Sequence, residues 1–259
     1  MNKLVTTDTV DTQYKNPDKL NIRIRLHQLY STNKEGFNNW IVNHYDIKKK
    51  SSILELGCGT GITWKDNTHL LQECKEVYFT DLFEGMIKEA KTNIGEHSNI
   101  HYAVVNAKEL PYEDERFDIV IANMMLYHIP NLDKALSEII RVLKKNGIFY
   151  SATYGENGVE SFINQMLNIQ TERQHTFTLQ NGKGILEDRF SDVEKLEYDD
   201  KLLISNYSDL VEYIQSFKEM NDWQNYSKEE LYRLISDYEK QGVIEIPKEY
   251  GMFLIMRFL

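Results

Sequence analysis

Ile53-Leu54-Glu55-Leu56-Gly57-Cys58-Gly59-Thr60-Gly61 is the stretch from which the fold of this chain can be read. A short apolar run, preceded by polar Ser51-Ser52 and followed by glycines, reads as a buried parallel strand. The glycines predict a tight turn, and the chain from Ile62 onward is expected to be helical. Strand, glycine turn and helix would set backbone N–H groups and a helix N-terminus beside a bound ligand.

The spacing of the glycines narrows the ligand. A dinucleotide loop needs G-x-G-x-x-G/A, whereas here Gly57, Gly59 and Gly61 alternate and position 62 is Ile. A P-loop would end in Gly-Lys-Ser/Thr, which is missing. Glu55 is an acceptor: its carboxylate would repel a pyrophosphate but could receive an ammonium group or nearby amides. The loop suits a cationic, amino-acid-bearing nucleoside better than a dinucleotide.

Composition sets the outer bounds. The chain has 259 residues, 41% of them hydrophobic, enough for one sizeable core and a small accessory layer. A formal net charge of −10 argues against nucleic acid as the main partner, because phosphate binding rests on Lys and Arg. No apolar run is long enough to span a membrane, and the polar Met1–Tyr14 stretch lacks a signal-peptide core, so a cytoplasmic protein with no membrane partner is expected. Cys58 and Cys74 would be separated by helix rising about 1.5 Å per residue, too far for a disulfide. Both should be free thiols, Cys58 being a small residue that fits the turn rather than a nucleophile. With no Cys or His at ligand spacing, no metal site is expected.

Taken in order, residues 1–15 carry no periodicity. A helix begins at Asn16-Pro17 with Leu20, Ile24 and Leu29 on its stripe and Ile22 and Leu26 on the flank, and a second covers Lys34 to Tyr45. Tyr30 and Trp40 on these helices either cover a ligand or pack in a helical cap. Glu76–Thr80 is a second strand ending at Asp81, 81 − 61 = 20 residues past the last glycine, where a carboxylate can accept ribose hydroxyls or cap the next helix. That helix runs from Leu82 to about Ile94. Ile100–Val105 and Phe117–Ala122 are further strands. Leu132, Ala135, Leu136, Ile139, Ile140 and Leu143 form an amphipathic helix, with Lys144-Lys145 on its C-terminal dipole and Gly147 as its cap; Ile148–Tyr154 is the fifth strand. Strands alternating with helices mean right-handed crossovers and a parallel sheet, with ligands at the strands' C-terminal ends. Beyond Gly155, Val159–Ile169 looks helical, Asn181-Gly182 is a turn, and Asp192–Ser205 is strand-like. Helices follow at Ser208–Phe217 and from the capping box Ser227-x-x-Glu230, and Gly251–Leu259 is a last buried strand.

The run Glu55-x-Gly57-x-Gly59-x-Gly61, with Asp81 and the later strands in order, resembles the first motif of class I S-adenosylmethionine-dependent methyltransferases. The resemblance covers about residues 50–155. It implies an α/β fold: a Rossmann-like, doubly wound, mostly parallel seven-stranded sheet with an antiparallel C-terminal strand. A helical cap would occupy residues 1–48. The methyltransferase domain would span 49–259, with its core at 50–155, a lid at about 156–190, and C-terminal helices and edge strands at 191–259.

The implied cofactor is S-adenosyl-L-methionine, leaving S-adenosyl-L-homocysteine. Its contacts would come from Tyr30, Glu55, Gly57, Cys58, Gly59, Asp81, Leu82, Met86, Asn106, Ala107, Asn123 and Met124. Asn106 stands where the family usually has Asp, and its amide oxygen can accept the same hydrogen bond from adenine. A general base would sit after strand four or five: His128 first, because imidazole titrates near neutral pH, then Tyr127 and Tyr154, with His175 on the following loop. For His128 a structural role, bonded to backbone, stays open. The implied activity is methyl transfer to an O or N atom of a small molecule. The alternatives are methylation of RNA or protein, or a non-catalytic nucleoside-binding subunit; an NAD-dependent dehydrogenase is disfavoured by Ile62 and Glu55. Oligomeric state is not legible.

Overall fold

The computed structural model describes residues 17–170, 176–217 and 222–256. Expectations for residues 1–15, for His175 and for the end of the last strand at 257–259 lie outside the described residues. In chain order the elements are α1 (Pro17–Tyr30), α2 (Phe37–Asn43), β1 (Ser52–Leu56), β2 (Glu76–Asp81), α3 (Glu84–Ile94), β3 (Ile100–Val104) and β4 (Phe117–Ile121). There follow α4 (Leu132–Val142), β5 (Leu143–Tyr154), α5 (Val159–Met166), α6 (Gly182–Glu187), β6 (Asp192–Tyr198), β7 (Lys201–Ile204), α7 (Tyr207–Gln215), α8 (Lys228–Ser236), β8 (Ile244–Pro247) and β9 (Tyr250–Met256).

These elements divide into two compact units. The sheet unit takes residues 35–155, 175–198 and 250–259; the accessory unit takes 1–34, 156–174 and 199–249. The division therefore cuts across the expected blocks: residues 35–48 belong with the sheet, and the 156–190 segment is shared.

The sheet unit holds seven strands in the order β3-β2-β1-β4-β5-β9-β6. All neighbours are parallel except those of β9, which runs antiparallel to β5 and to β6. The antiparallel strand is the one that the resemblance implies; it lies inside the sheet, and β6 forms the edge. Side-chain alternation builds a core on each face. Leu54, Leu56, Val120 and Phe149 pack with α4 on one side. Ile53, Val77, Phe79, Ile119 and Ile121 pack with α2 and α3 on the other. Chain order reverses between β1 and β4, which is where open α/β sheets bind ligands.

Helix α4 buries Ala135, Leu136, Ile139 and Val142, as its period requires, and Asn131 caps it by accepting from Lys134 N. It ends sooner than expected. Leu143 leaves the helix with extended backbone, is fully buried, and begins β5 opposite Phe117. Lys144 pairs with Asp118 instead of the helix dipole. Gly147 is a strand residue, small because a Cβ there would meet Leu143 Cδ1 at 2.7 Å and Asp118 O at 3.0 Å. Gly36, at φ 80°, starts α2 later than the apolar pattern suggests.

The accessory unit combines α1, α5, α7 and α8 with an antiparallel pair, β7 and β8, around Leu26, Ile163, Leu202, Ile204, Leu210, Ile214, Leu231, Ile235, Ile244 and Ile246. The expected strand Asp192–Ser205 is two strands in two different sheets. On α1 the stripe is rotated: Leu26 is buried, while Ile24 and Leu29 are exposed. The Ser227/Glu230 capping box opens α8 as read from the sequence.

Candidate functional site at the ends of the parallel strands

Gly57, Gly59 and Gly61 all have positive φ, from 55° to 68°. A Cβ on Gly61 would lie 2.7 Å from Ile94 Cδ1 and 3.2 Å from Ala90 Cα, so only glycine lets the turn pack against α3. Gly57 makes the same allowance for Met125. Gly59 is different: nothing lies within 4 Å of its Cβ position. The middle of the turn is open, and its backbone can approach a ligand.

No α-helix follows the turn. Trp64, Lys65, Asn67 and Leu70 donate their backbone N–H groups three residues back, and one 3₁₀ turn covers Thr68–Leu71. Asp66, Asn67 and Thr68 favour such local turns over helix, and Asn67 Nδ2 donates to Thr63 O. No α-helix N-terminus therefore faces the turn from this segment. Backbone donors of the turn and nearby carboxylates remain.

Asp81, at the end of β2, binds the turn to the start of α3. Its Oδ2 accepts from Gly59 N and its Oδ1 from Phe83 N, both at 3.0 Å. Burial pushes its carboxyl up, while the N–H groups of Phe83, Gly59 and Leu82 pull it back. Each oxygen keeps a lone pair for a further donor, so ribose acceptance stays chemically open. Asp81 is not the helix cap; Phe83 holds that position.

Beneath the turn, Glu55 is almost fully buried, and Trp64 Nε1 donates to its Oε2 at 2.5 Å. Burial, offset by that indole and reinforced by Asp81, raises its pKa to about 7. The Cys58 thiol is pushed far up by burial and the same carboxylates, so no thiolate forms; both cysteines are free. Tyr45 stacks on Trp64 at 5.7 Å, and its hydroxyl accepts from Asn123 Nδ2 at 2.6 Å. Asn123 Oδ1 in turn accepts from Ala152 N. Burial holds the Tyr45 phenol well above its usual value, so it remains protonated. Tyr45 and Trp64 were missed in the sequence. The question that would have found Trp64 is which donor satisfies a buried strand carboxylate.

Leu82, about half exposed, follows Asp81, which is opposite Val104 of β3 in register. Half-buried Met86 lies in the first turn of α3. Asn106 is exposed and its Oδ1 accepts from Lys108 N, an Asx turn that takes one lone pair of the expected adenine acceptor; Ala107 follows it. After β4, Met124 sits at φ 52° and donates to Ala152 O. Tyr127, His128 and Tyr154 form one aromatic corner, with Tyr127 4.4 Å from His128 and 4.7 Å from Tyr154 between ring centroids. Strand ends thus bring Glu55, Gly57, Cys58, Gly59, Asp81, Leu82, Asn106, Asn123, Met124, Tyr127, His128 and Tyr154 into one unit. Tyr30 belongs to the accessory unit, where its hydroxyl donates to Asp209 at 2.6 Å. Trp40 packs among Phe37, His44 and Tyr198. Among the described residues there is no His/Cys/Asp/Glu cluster that could hold a metal ion, and no helix is long and apolar enough to cross a membrane.

The switch point thus carries an open glycine turn that rests on two carboxylates, Glu55 and Asp81. Residues 54–151 match the family model described as a methyltransferase domain. A ubiquinone/menaquinone biosynthesis C-methyltransferase of Escherichia coli is 34% identical over 104 residues, 39% of this chain and 41% of that protein's length. The chain thus matches less than half the length of this curated relative. A candidate methyltransferase of Bacillus halodurans C-125 has the same fold, with TM-score 0.59 and 19% identity over 86% of this chain and 99% of that one. So does a SAM-dependent methyltransferase of Aquifex aeolicus, with TM-score 0.51 and 13% identity over 93% and 98%. The region from Leu54 to Ser151 is thus similar to methyltransferase domains, and the chain shares the fold of solved methyltransferases.

Proposed function

We propose that this chain transfers a methyl group from S-adenosyl-L-methionine to a small-molecule acceptor. The observation that carries the reading is the turn itself: an unobstructed Gly59, hydrogen-bonded to Asp81, with Glu55 behind it. These residues fit the cofactor. The turn offers backbone donors for a carboxylate end, Asp81 offers acceptors for ribose hydroxyls, and two carboxylates suit a ligand bearing ammonium and sulfonium charge. Met86, Leu82 and Ala107 would lie against the adenine. When bound, the sulfonium supplies an activated methyl group for in-line displacement. The protein's part is to orient the acceptor and, for a protonated nucleophile, to remove its proton.

The Tyr127/His128/Tyr154 corner follows strands four and five and is where an acceptor would meet such residues. His128 is the base of choice for an O–H acceptor; an amine needs only positioning. Flat or partly apolar acceptors suit ring faces of this kind. The E. coli relative is named a C-methyltransferase, so carbon acceptors belong in the screen beside oxygen and nitrogen. The test is incubation with methyl-labelled S-adenosylmethionine and separate small-molecule, RNA and protein fractions of a cell extract. Label entering small molecules supports the reading. Label confined to RNA or protein overturns the substrate class.

A further inference from the structure

Trp64 is among the largest fully buried side chains, and it sits in a segment of turns that the strand–turn–helix pattern would have made helical. Its ring is clamped between Tyr45 at 5.7 Å and Phe79 at 6.0 Å, which fixes where its one polar atom points. That atom donates to Glu55 Oε2. Burial apart, Asp81 is the charged group that acts on Glu55, raising its pKa. The Cys58 thiol and the Tyr45 phenol stay neutral and are themselves raised by burial and by Glu55; none of the three is a cation. An indole N–H can only donate, so it favours the carboxylate over the acid, and a charge-assisted bond of this kind is short and directional.

We propose that Trp64 is a positioning residue of the cofactor site: its indole N–H holds Glu55 as an oriented carboxylate behind the glycine turn, so that the turn presents negative charge to a cationic ligand. This rests on the reading of the turn as the S-adenosylmethionine site. Without the N–H the Glu55 carboxyl would hold its proton to higher pH, and the turn would meet the ligand at neutrality with Asp81 as its one carboxylate. Cofactor affinity should then depend on pH through Glu55, with Trp64 setting the midpoint.

Two measurements decide it. In the ligand-free protein, the indole ¹⁵N–¹H resonance of Trp64, assigned by its loss in Trp64→Phe, is followed from acid to alkaline pH. It should shift with a midpoint at about 7 in the wild type and stay flat in Glu55→Gln. Calorimetric binding of S-adenosylhomocysteine is then measured across the same range. Wild-type affinity should rise with pH, Trp64→Phe should be weaker by about tenfold at neutrality with its curve displaced to higher pH, and Glu55→Gln should show no such dependence. Glu55→Gln is nearly isosteric and keeps the test available should Trp64→Phe fail to fold. An indole signal indifferent to pH, or a folded Trp64→Phe protein with the wild-type binding curve, overturns the proposal. Absence of homocysteine-ligand binding to the wild type at every pH overturns the cofactor reading and the positioning role with it. The indole titration still reports whether the Glu55–Trp64 pairing exists.

Discussion

The sheet unit is held by apolar layers and the accessory unit by a core cross-tied with buried charge. Every residue of β1 is buried, and its side chains alternate between two cores built from strands and helices near in sequence. In the accessory unit β7 and β8 have four residues each, and only alternate ones are buried. Lys248 Nζ donates to Asp200 Oδ2 at 2.6 Å and to Ser31 Oγ at 2.8 Å, joining residues 217 apart in sequence. Asp200 Oδ1 also accepts from Asn33 N and Lys201 N. Burial pushes the Asp200 carboxyl up, but these donors and Lys248 hold it below its ordinary value. One region is specified by local period and the other by long-range polar pairing. The first tolerates hydrophobic exchange of equal volume; in the second, removing one partner strands a buried charge.

The largest separation between the two should come from single truncations. Lys248→Ala leaves Asp200 buried without its cation and should cost about 3–5 kcal/mol. Its thermal unfolding should show early loss of the Trp223 signal in the accessory unit. Ile139→Ala in α4 should cost about 2–5 kcal/mol through its cavity, and Ile139→Val only about 1 kcal/mol. A Lys248→Ala protein as stable as wild type would break the comparison.

Acid should act on the accessory unit next. Burial, then Lys248, lower the His27 pKa from 6.5 to about 4. The unfolded chain takes up the proton between those values and the folded chain does not, so stability is full above pH 6.5 and falls as pH drops toward 4. At about 1.4 kcal/mol per unit the loss is about 3 kcal/mol. Melting curves of wild type and His27→Phe across that window should diverge by this amount, and parallel curves would remove His27 from the account.

The glycine turn gives a smaller but sharper contrast. Gly61→Ala meets both positive φ and Ile94 and should lower stability by about 2–3 kcal/mol. Gly59→Ala meets positive φ alone and should cost about 1–2 kcal/mol, while weakening cofactor binding at least tenfold. Equal loss of binding in both variants would mean that the open space at Gly59 has no ligand role.

This difference between the units also explains what could be read in the sequence. Strands β1 to β4, the second half of β5 and most of helix α4 follow from apolar runs and the 3.6 period. Asp81 follows from its distance to Gly61. The segment after Gly61 misled because a strand followed by glycines usually leads into helix, whereas here the turn-forming Asp66-Asn67-Thr68 and the bond from buried Trp64 to Glu55 accompany a run of turns. Tyr45 was invisible for the same reason: its role depends on Asn123, 78 residues away. Asp192–Ser205 reads as one strand because period cannot register that Asp199-Asp200 turns the chain toward Lys248. The exposed Ile24 and Leu29 on α1 show a helix whose packing is set by Leu26 and by neighbours that the sequence does not name.

The central claim is that the turn and Asp81 form an S-adenosylmethionine site, and calorimetric titration of wild type and Asp81→Ala with S-adenosylmethionine, S-adenosylhomocysteine and NAD tests it most directly. Micromolar binding of the first two to the wild type, at least tenfold weaker in the mutant and with no NAD signal, is the expected result. Binding of NAD alone, or S-adenosylmethionine binding unchanged by Asp81→Ala, would contradict it.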